Sequence, residues 1–120
     1  MELLLLGVSH HTAPVDLRER VDFSKRGVPT ALGELSLRPT LAEAVVLTTC
    51  NRAELYVTCD DPVATARELA DFMSRFHDVS DTELAPHLYT HTGTDVVHHL
   101  FRVAAGLDSL VVGEPQIFGQ

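Results

Sequence analysis

The sequence predicts an α+β fold, an antiparallel sheet carrying helices between and after its strands, and three observations predict it. Residues 43–49 and 52–59 read as strands separated by only two residues, which makes them a hairpin. Helix-period apolar patterns occupy 62–78 and 95–111, while 2–9 is a short apolar run that ends at Gly7 and a Ser-His-His cluster. The resulting order of strand, helix, strand, strand, helix, strand is a split βαβ pattern. It specifies a ferredoxin-like antiparallel sheet with extra helices appended to the core unit.

Element by element, ELLLLGVS at 2–9 is a buried strand. Pro14 suits the first turn of a helix over about 15–23, and a second short helix covers about 28–37, with Leu32 and Leu35 inward. EAVVLTT at 43–49 is an interior strand. Along 52–59, Ala53, Leu55, Val57 and Cys59 point one way while Arg52, Glu54, Tyr56 and Thr58 point the other, with Cys50-Asn51 at the hairpin tip. Asp61-Pro62 opens the next helix as cap and first residue, with Val63, Ala66, Leu69, Ala70, Met73 and Phe76 as its apolar stripe and its end near Asp78. Ser80 and Glu83 stand at capping-box spacing, ahead of a strand at 87–91. On the last helix, Val96, Leu100, Val103, Ala104, Leu107 and Val111 share the apolar face.

A chain of 120 residues with 45% apolar content is enough for one core without staples. No apolar run approaches the roughly 20 residues that cross a bilayer, and the start lacks a secretory pattern, so the expected location is cytoplasmic. Cys50 and Cys59, at opposite ends of one strand, would lie roughly 25–30 Å apart at about 3.3 Å per residue, so both thiols are expected to be free. The net charge of −8 argues against simple nucleic-acid binding. All of it falls after residue 52, whereas Arg18, Arg20, Lys25, Arg26 and Arg38 make 18–38 locally basic.

Two places carry possible chemistry. Cys50 is expected to be exposed at a turn tip, beside an Arg52 that would favour the thiolate; on the residues alone it is either a nucleophile or a small turn residue. On the last helix, His99, Arg102, Gly106 and Ser109 form a second stripe at the margin of the apolar face, with His98 toward solvent. A metal site is disfavoured because the chain has no Cys-x-x-Cys and His87 and His91 lack an intervening zinc-protease glutamate.

Three segments, GVSHHTAPVDLRER at 7–20, TTCNRAELYV at 48–57 and HLFRVAAGLDSLVVGEPQIFGQ at 99–120, resemble the N-terminal catalytic domain of glutamyl-tRNA reductases. The resemblance implies an enzyme that takes glutamyl-tRNA and NADPH and makes glutamate-1-semialdehyde for tetrapyrrole synthesis. It makes Cys50 the nucleophile that forms a thioester, with His99 important for activity. It places glutamate-binding residues at Thr49, Asn51, Arg52, Ser109, Glu114, Pro115, Gln116 and Gln120. Arg52 would grip the γ-carboxylate through two parallel hydrogen bonds, and either Glu54 or Glu114 would receive the α-ammonium. Backbone N–H groups near Cys50–Arg52 are candidate oxyanion donors. Two departures stand out: Asp22 where some relatives have serine, and Ala105 where RVASG is common.

The same resemblance implies a nucleotide-binding domain and a dimerising helical domain beyond these residues, and glutamate-1-semialdehyde aminomutase as pathway partner. With no G-x-G-x-x-G here, the residues given are expected to bind no NADPH and to be monomeric, the homodimer belonging to the full-length enzyme. The rival readings are a non-catalytic ferredoxin-like RNA- or protein-binding module, against which the strands lack paired stacking aromatics, and a general cysteine hydrolase.

Overall fold

The computed structural model describes the backbone of residues 1–110 and the side chains of 1–106. Four strands, β1 (Glu2–Ser9), β2 (Leu41–Thr48), β3 (Arg52–Cys59) and β4 (Tyr89–Thr92), form one sheet in the order β2-β3-β1-β4. Every neighbouring pair is antiparallel. Helices α1 (Val15–Arg20) and α2 (Val28–Leu35) join β1 to β2. Helices α3 (Pro62–His77) and α4 (Asp81–Leu84), with a 3-10 turn at Ala85–His87, join β3 to β4, and α5 (Thr94–Leu110) follows β4.

Strand alternation divides the sheet into two faces. Leu4, Leu6 and Val8 of β1 and Ala53, Leu55, Val57 and Cys59 of β3 enter the main core. There they meet Leu17, Phe23, Ala31, Leu35, Leu69, Phe72, Met73 and Phe76 from α1 to α3 and the loop after α1. The opposite face carries Leu5, Gly7, Glu54, Tyr56, Tyr89 and His91, which the strand register places side by side. Helix α5 packs against β4 and β1 on that side, where Val96 and Val103 are buried outside the main core.

The helix ends follow their side chains. Asp61 accepts from Ala64 N–H at 3.2 Å to cap α3, and Asp78 closes it in the left-handed region at φ 55°. Ser80 accepts from Glu83 N–H at 3.2 Å, the N-cap half of the expected box.

Several expectations are corrected. Helix α1 ends at Arg20 and α2 at Leu35, short of 23 and 37, and β4 starts at Tyr89 because the 3-10 turn takes His87. Val63, expected inward, is exposed in the first turn of α3, and Thr65 and Phe72 are buried in its place. On α5 the inner stripe is Val96, His99 and Val103, while Leu100 is 46% exposed; Leu107 and Val111 lie outside the described side chains. The basic character of 18–38 is largely compensated, because Arg20 pairs with Glu83, Arg26 with Glu34 and Arg38 with Asp71. Among the described residues no helix is long and apolar enough to cross a membrane.

Candidate active site

The β2–β3 turn is held by its own residues. Thr49 N–H donates to the Arg52 carbonyl at 2.8 Å, and the Thr49 hydroxyl oxygen accepts from Asn51 N–H at 3.1 Å and Arg52 N–H at 3.2 Å. A threonine at this position thus replaces ladder partners that the turn cannot supply. His10 N–H donates to the Asn51 carbonyl at 2.8 Å, tying the tip to the end of β1. Cys50 is exposed at this tip with a free thiol, and Cys59, also free, is buried in the core.

The oxyanion expectation narrows accordingly. Asn51 and Arg52 N–H are engaged by Thr49, whereas Cys50 N–H has no hydrogen bond among the described residues. The turn role of Thr49 was not read from the sequence, where only the family resemblance gave Thr49 a place, as a glutamate-binding residue; it also lines the cleft beside the tip.

Beside the tip lies a cleft of about 530 Å³. Thr49, Asn51 and Arg52 line it from the turn, His10 and His11 from the end of β1, and His99, Arg102 and Gly106 from α5. Tyr89 and His91 line it from β4. Burial, then the nearby charges of His11, Arg52 and Arg18, lower the pKa of His10. Burial, then His99 and Arg102, do the same for His91, so both imidazoles favour the neutral form.

Beneath the cleft sits Glu54, 0% exposed. Its Oε1 accepts from Tyr56 Oη at 2.7 Å. Its Oε2 accepts from Tyr89 Oη, from Arg52 Nη1 at 3.1 Å and from His99 Nε2 at 2.6 Å. Burial pushes the Glu54 carboxyl up, but the hydrogen bonds from Tyr89, Tyr56 and His99 and the Arg52 charge outweigh it and hold the group below the usual carboxylate range. Both tyrosines are raised by burial and by that same carboxylate, so they remain donors. Gly7 makes the arrangement fit: a Cβ there would stand 2.8 Å from Glu54 Cγ and 2.7 Å from the Ala53 carbonyl oxygen.

Of the sequence-predicted residues, the structure brings Thr49, Asn51, Arg52 and His99 to one cleft, with Cys50 exposed beside it. Glu54 shares the site but not its wall, since it is 0% exposed, with Tyr56 on Oε1 and Tyr89, Arg52 and His99 on Oε2. Ser109, Glu114, Pro115, Gln116 and Gln120 lie outside the described side chains. Tyr56 and Tyr89 were missed; the available signal was the period-two spacing of Arg52, Glu54 and Tyr56, one face of one strand. Asp22, the departure from serine, accepts from Thr48 Oγ1 at 3.0 Å and Ser24 N–H at 2.8 Å, bracing β2 just before the turn. Among the described residues no group of three or more His, Cys, Asp or Glu side chains could hold a metal ion.

Fold and site together define a class: an α+β domain that presents an exposed thiol beside a cleft lined by imidazoles and guanidinium groups. The family model described as Glutamyl-tRNAGlu reductase, N-terminal domain, matches residues 6–120. The chain is 52% identical over 120 residues to a glutamyl-tRNA reductase of Solibacter usitatus, covering 100% of this chain and 28% of that protein. It is 46% identical over 120 residues to one of Syntrophotalea carbinolica, covering 100% of this chain and 27% of that protein. The solved structure of glutamyl-tRNA reductase from Methanopyrus kandleri matches with a TM-score of 0.69 at 31% identity, over 98% of this chain and 26% of that one. The chain belongs to the glutamyl-tRNA reductase N-terminal domain family. It spans little more than a quarter of the length of these relatives.

Proposed function

We propose that this domain performs the glutamyl-transfer step of a glutamyl-tRNA reductase, with Cys50 as nucleophile. The observation that carries the reading is the exposed Cys50 thiol on a turn whose flanking residues line the same cleft as His99. Cys50 Sγ attacks the ester carbonyl that joins glutamate to the tRNA 3′ end, and the thiol proton passes to His99. Cys50 N–H meets the charge that forms on the carbonyl oxygen. The bond to the ribose oxygen then breaks, His99 returns the proton to that oxygen, and glutamate remains on sulfur as a thioester.

Arg52 suits the γ-carboxylate of glutamate, since one side of its guanidinium is spent on Glu54 and the residue still lines the cleft. Glu54 being buried, the α-ammonium falls to Glu114, and the family resemblance adds Ser109, Pro115, Gln116 and Gln120 as further glutamate-binding residues. The antiparallel order β2-β3-β1-β4 supports the ferredoxin-like, split βαβ assignment, with α5 added on the second face.

NADPH would supply the hydride that reduces the thioester to glutamate-1-semialdehyde. The starts of the two long helices do not fit that cofactor: α3 opens behind Asp60 and Asp61 and α5 carries Asp95 in its first turn, carboxylates where a diphosphate would need donors. Reduction, dimerisation and hand-over to the aminomutase are therefore assigned to the full-length enzyme, in the cytoplasm, where thiols stay reduced.

The test is intact-protein mass spectrometry after mixing with glutamyl-tRNA. A glutamyl adduct mapped to Cys50 and absent from Cys50→Ala supports the reading. No adduct would favour a binding module, and adducts from unrelated aminoacyl esters a general hydrolase.

A further inference from the structure

At Glu54 four donors from three elements converge on one carboxylate, Tyr56 of β3 on Oε1 and Arg52 of β3, Tyr89 of β4 and His99 of α5 on Oε2. Burying an ionised carboxylate is costly, and a purely structural side chain at this position would be apolar, like Leu5 on the same face. The fold instead removes a side chain at Gly7 to admit it. What Glu54 achieves is best seen at the imidazole. Arg52 and both tyrosines meet Glu54 as donors, and His99 Nε2 approaches the ionised oxygen at 2.6 Å, a distance that calls for a proton on that nitrogen, whereas Arg52 Nη1, the competing donor to Nε2, stands off at 3.5 Å. Nδ1 makes no hydrogen bond among the described residues, and His99 lines the cleft.

We propose that Glu54 is a positioning residue for glutamyl transfer: it fixes His99 in the tautomer with the proton on Nε2, leaving Nδ1 as the lone-pair nitrogen for proton transfer at the cleft. The inference rests on the roles of Cys50 and His99 given above. The logic is that of a third group orienting a base that serves a nucleophile. The tyrosines keep the carboxylate ionised, and Arg52 shares Oε2 with the imidazole, so one anion positions both the proton carrier and the cation that faces substrate.

The experiment is nitrogen-15 NMR of the His99 ring in the full chain, wild type and variants, beside the rate of thioester formation from glutamyl-tRNA. Wild type is expected to show the proton on Nε2. Glu54→Gln keeps an acceptor oxygen and should keep that tautomer with a modest rate loss. Glu54→Leu should give a mixed tautomer and lower kcat for transfer by about 100-fold, the lower end of a general acid–base contribution. KM should rise as well, because the same substitution releases Arg52, so the fall in kcat at saturating glutamyl-tRNA and the tautomer signal carry the test. A wild-type ring protonated on Nδ1, or a Glu54→Leu protein with unchanged tautomer and rate, overturns the proposal. The wild-type spectrum decides even where a variant fails to fold. Absence of a Cys50 adduct would instead remove the proposed function while leaving the tautomer assignment to stand or fall on its own signal.

Discussion

His99 Nε2 lies 2.6 Å from Glu54 Oε2, joining the middle of α5 to the centre of the sheet across 45 residues of sequence. This contact explains why the inner face of α5 is rotated from the purely apolar one. A wheel scored on hydrophobicity turns Leu100 inward, but a buried anion takes the imidazole and leaves Leu100 46% exposed.

Gly7 is paired across the sheet with both Glu54 and Tyr89. Gly7→Ala places a methyl 2.7 Å from a backbone oxygen that cannot swing away, and 2.8 Å from Glu54 Cγ. The expected cost is about 1–3 kcal/mol, as for other overpacked sites, measured by urea unfolding. Loss of glutamyl transfer should exceed what the unfolded fraction explains.

Arg52 divides its guanidinium between Glu54 and the cleft. A lysine has one ammonium centre and cannot serve both, so Arg52→Lys should raise KM for glutamyl-tRNA about 10- to 100-fold, the worth of one charged hydrogen bond. Steady-state kinetics check it, and an unchanged KM removes the carboxylate clamp.

The two thiols should differ sharply in accessibility. Cys50 is exposed and Cys59 is 1% exposed in the core. Iodoacetamide should label Cys50 in the native protein and Cys59 only on unfolding, as peptide mapping would reveal. Cys50→Ala should change stability by less than about 0.5 kcal/mol, as an exposed substitution does.

His77 provides a pH signature of the main core. Burial pushes its imidazole down to about 4, and its Nε2 is buried without a hydrogen-bond partner, against Phe23 and Phe76. The unfolded chain binds this proton near the ordinary value of about 6.5, so stability falls as pH drops from there to about 4 and loses nothing more from His77 below it. The loss should be about 2 kcal/mol after allowing for the ring's partial exposure. His77→Phe should remove this part of the slope in unfolding curves taken across that range.

Much of this was legible in sequence because it is local. The alternation of 52–59, the Asp61-Pro62 cap and the Cys50 turn each depend on neighbours a few residues away. Glu54 was not legible as a buried group, because a charged residue in an alternating strand implies a wetted face until a second helix covers it. The tyrosines that satisfy it and the glycine that makes room are 2, 35 and 47 residues distant, so no window of local pattern holds them together. The expected basic patch dissolved for the same reason, since Arg20 and Arg38 find their counter-charges 63 and 33 residues away.

The sheet has one side given to cohesion and one to a polar cleft. Aromatic and aliphatic packing gathers behind it, while polar chemistry gathers in front under a single helix. Substrate preference can therefore be rewritten on the front without disturbing the foundation behind, and damage to the foundation need not first announce itself as altered selectivity.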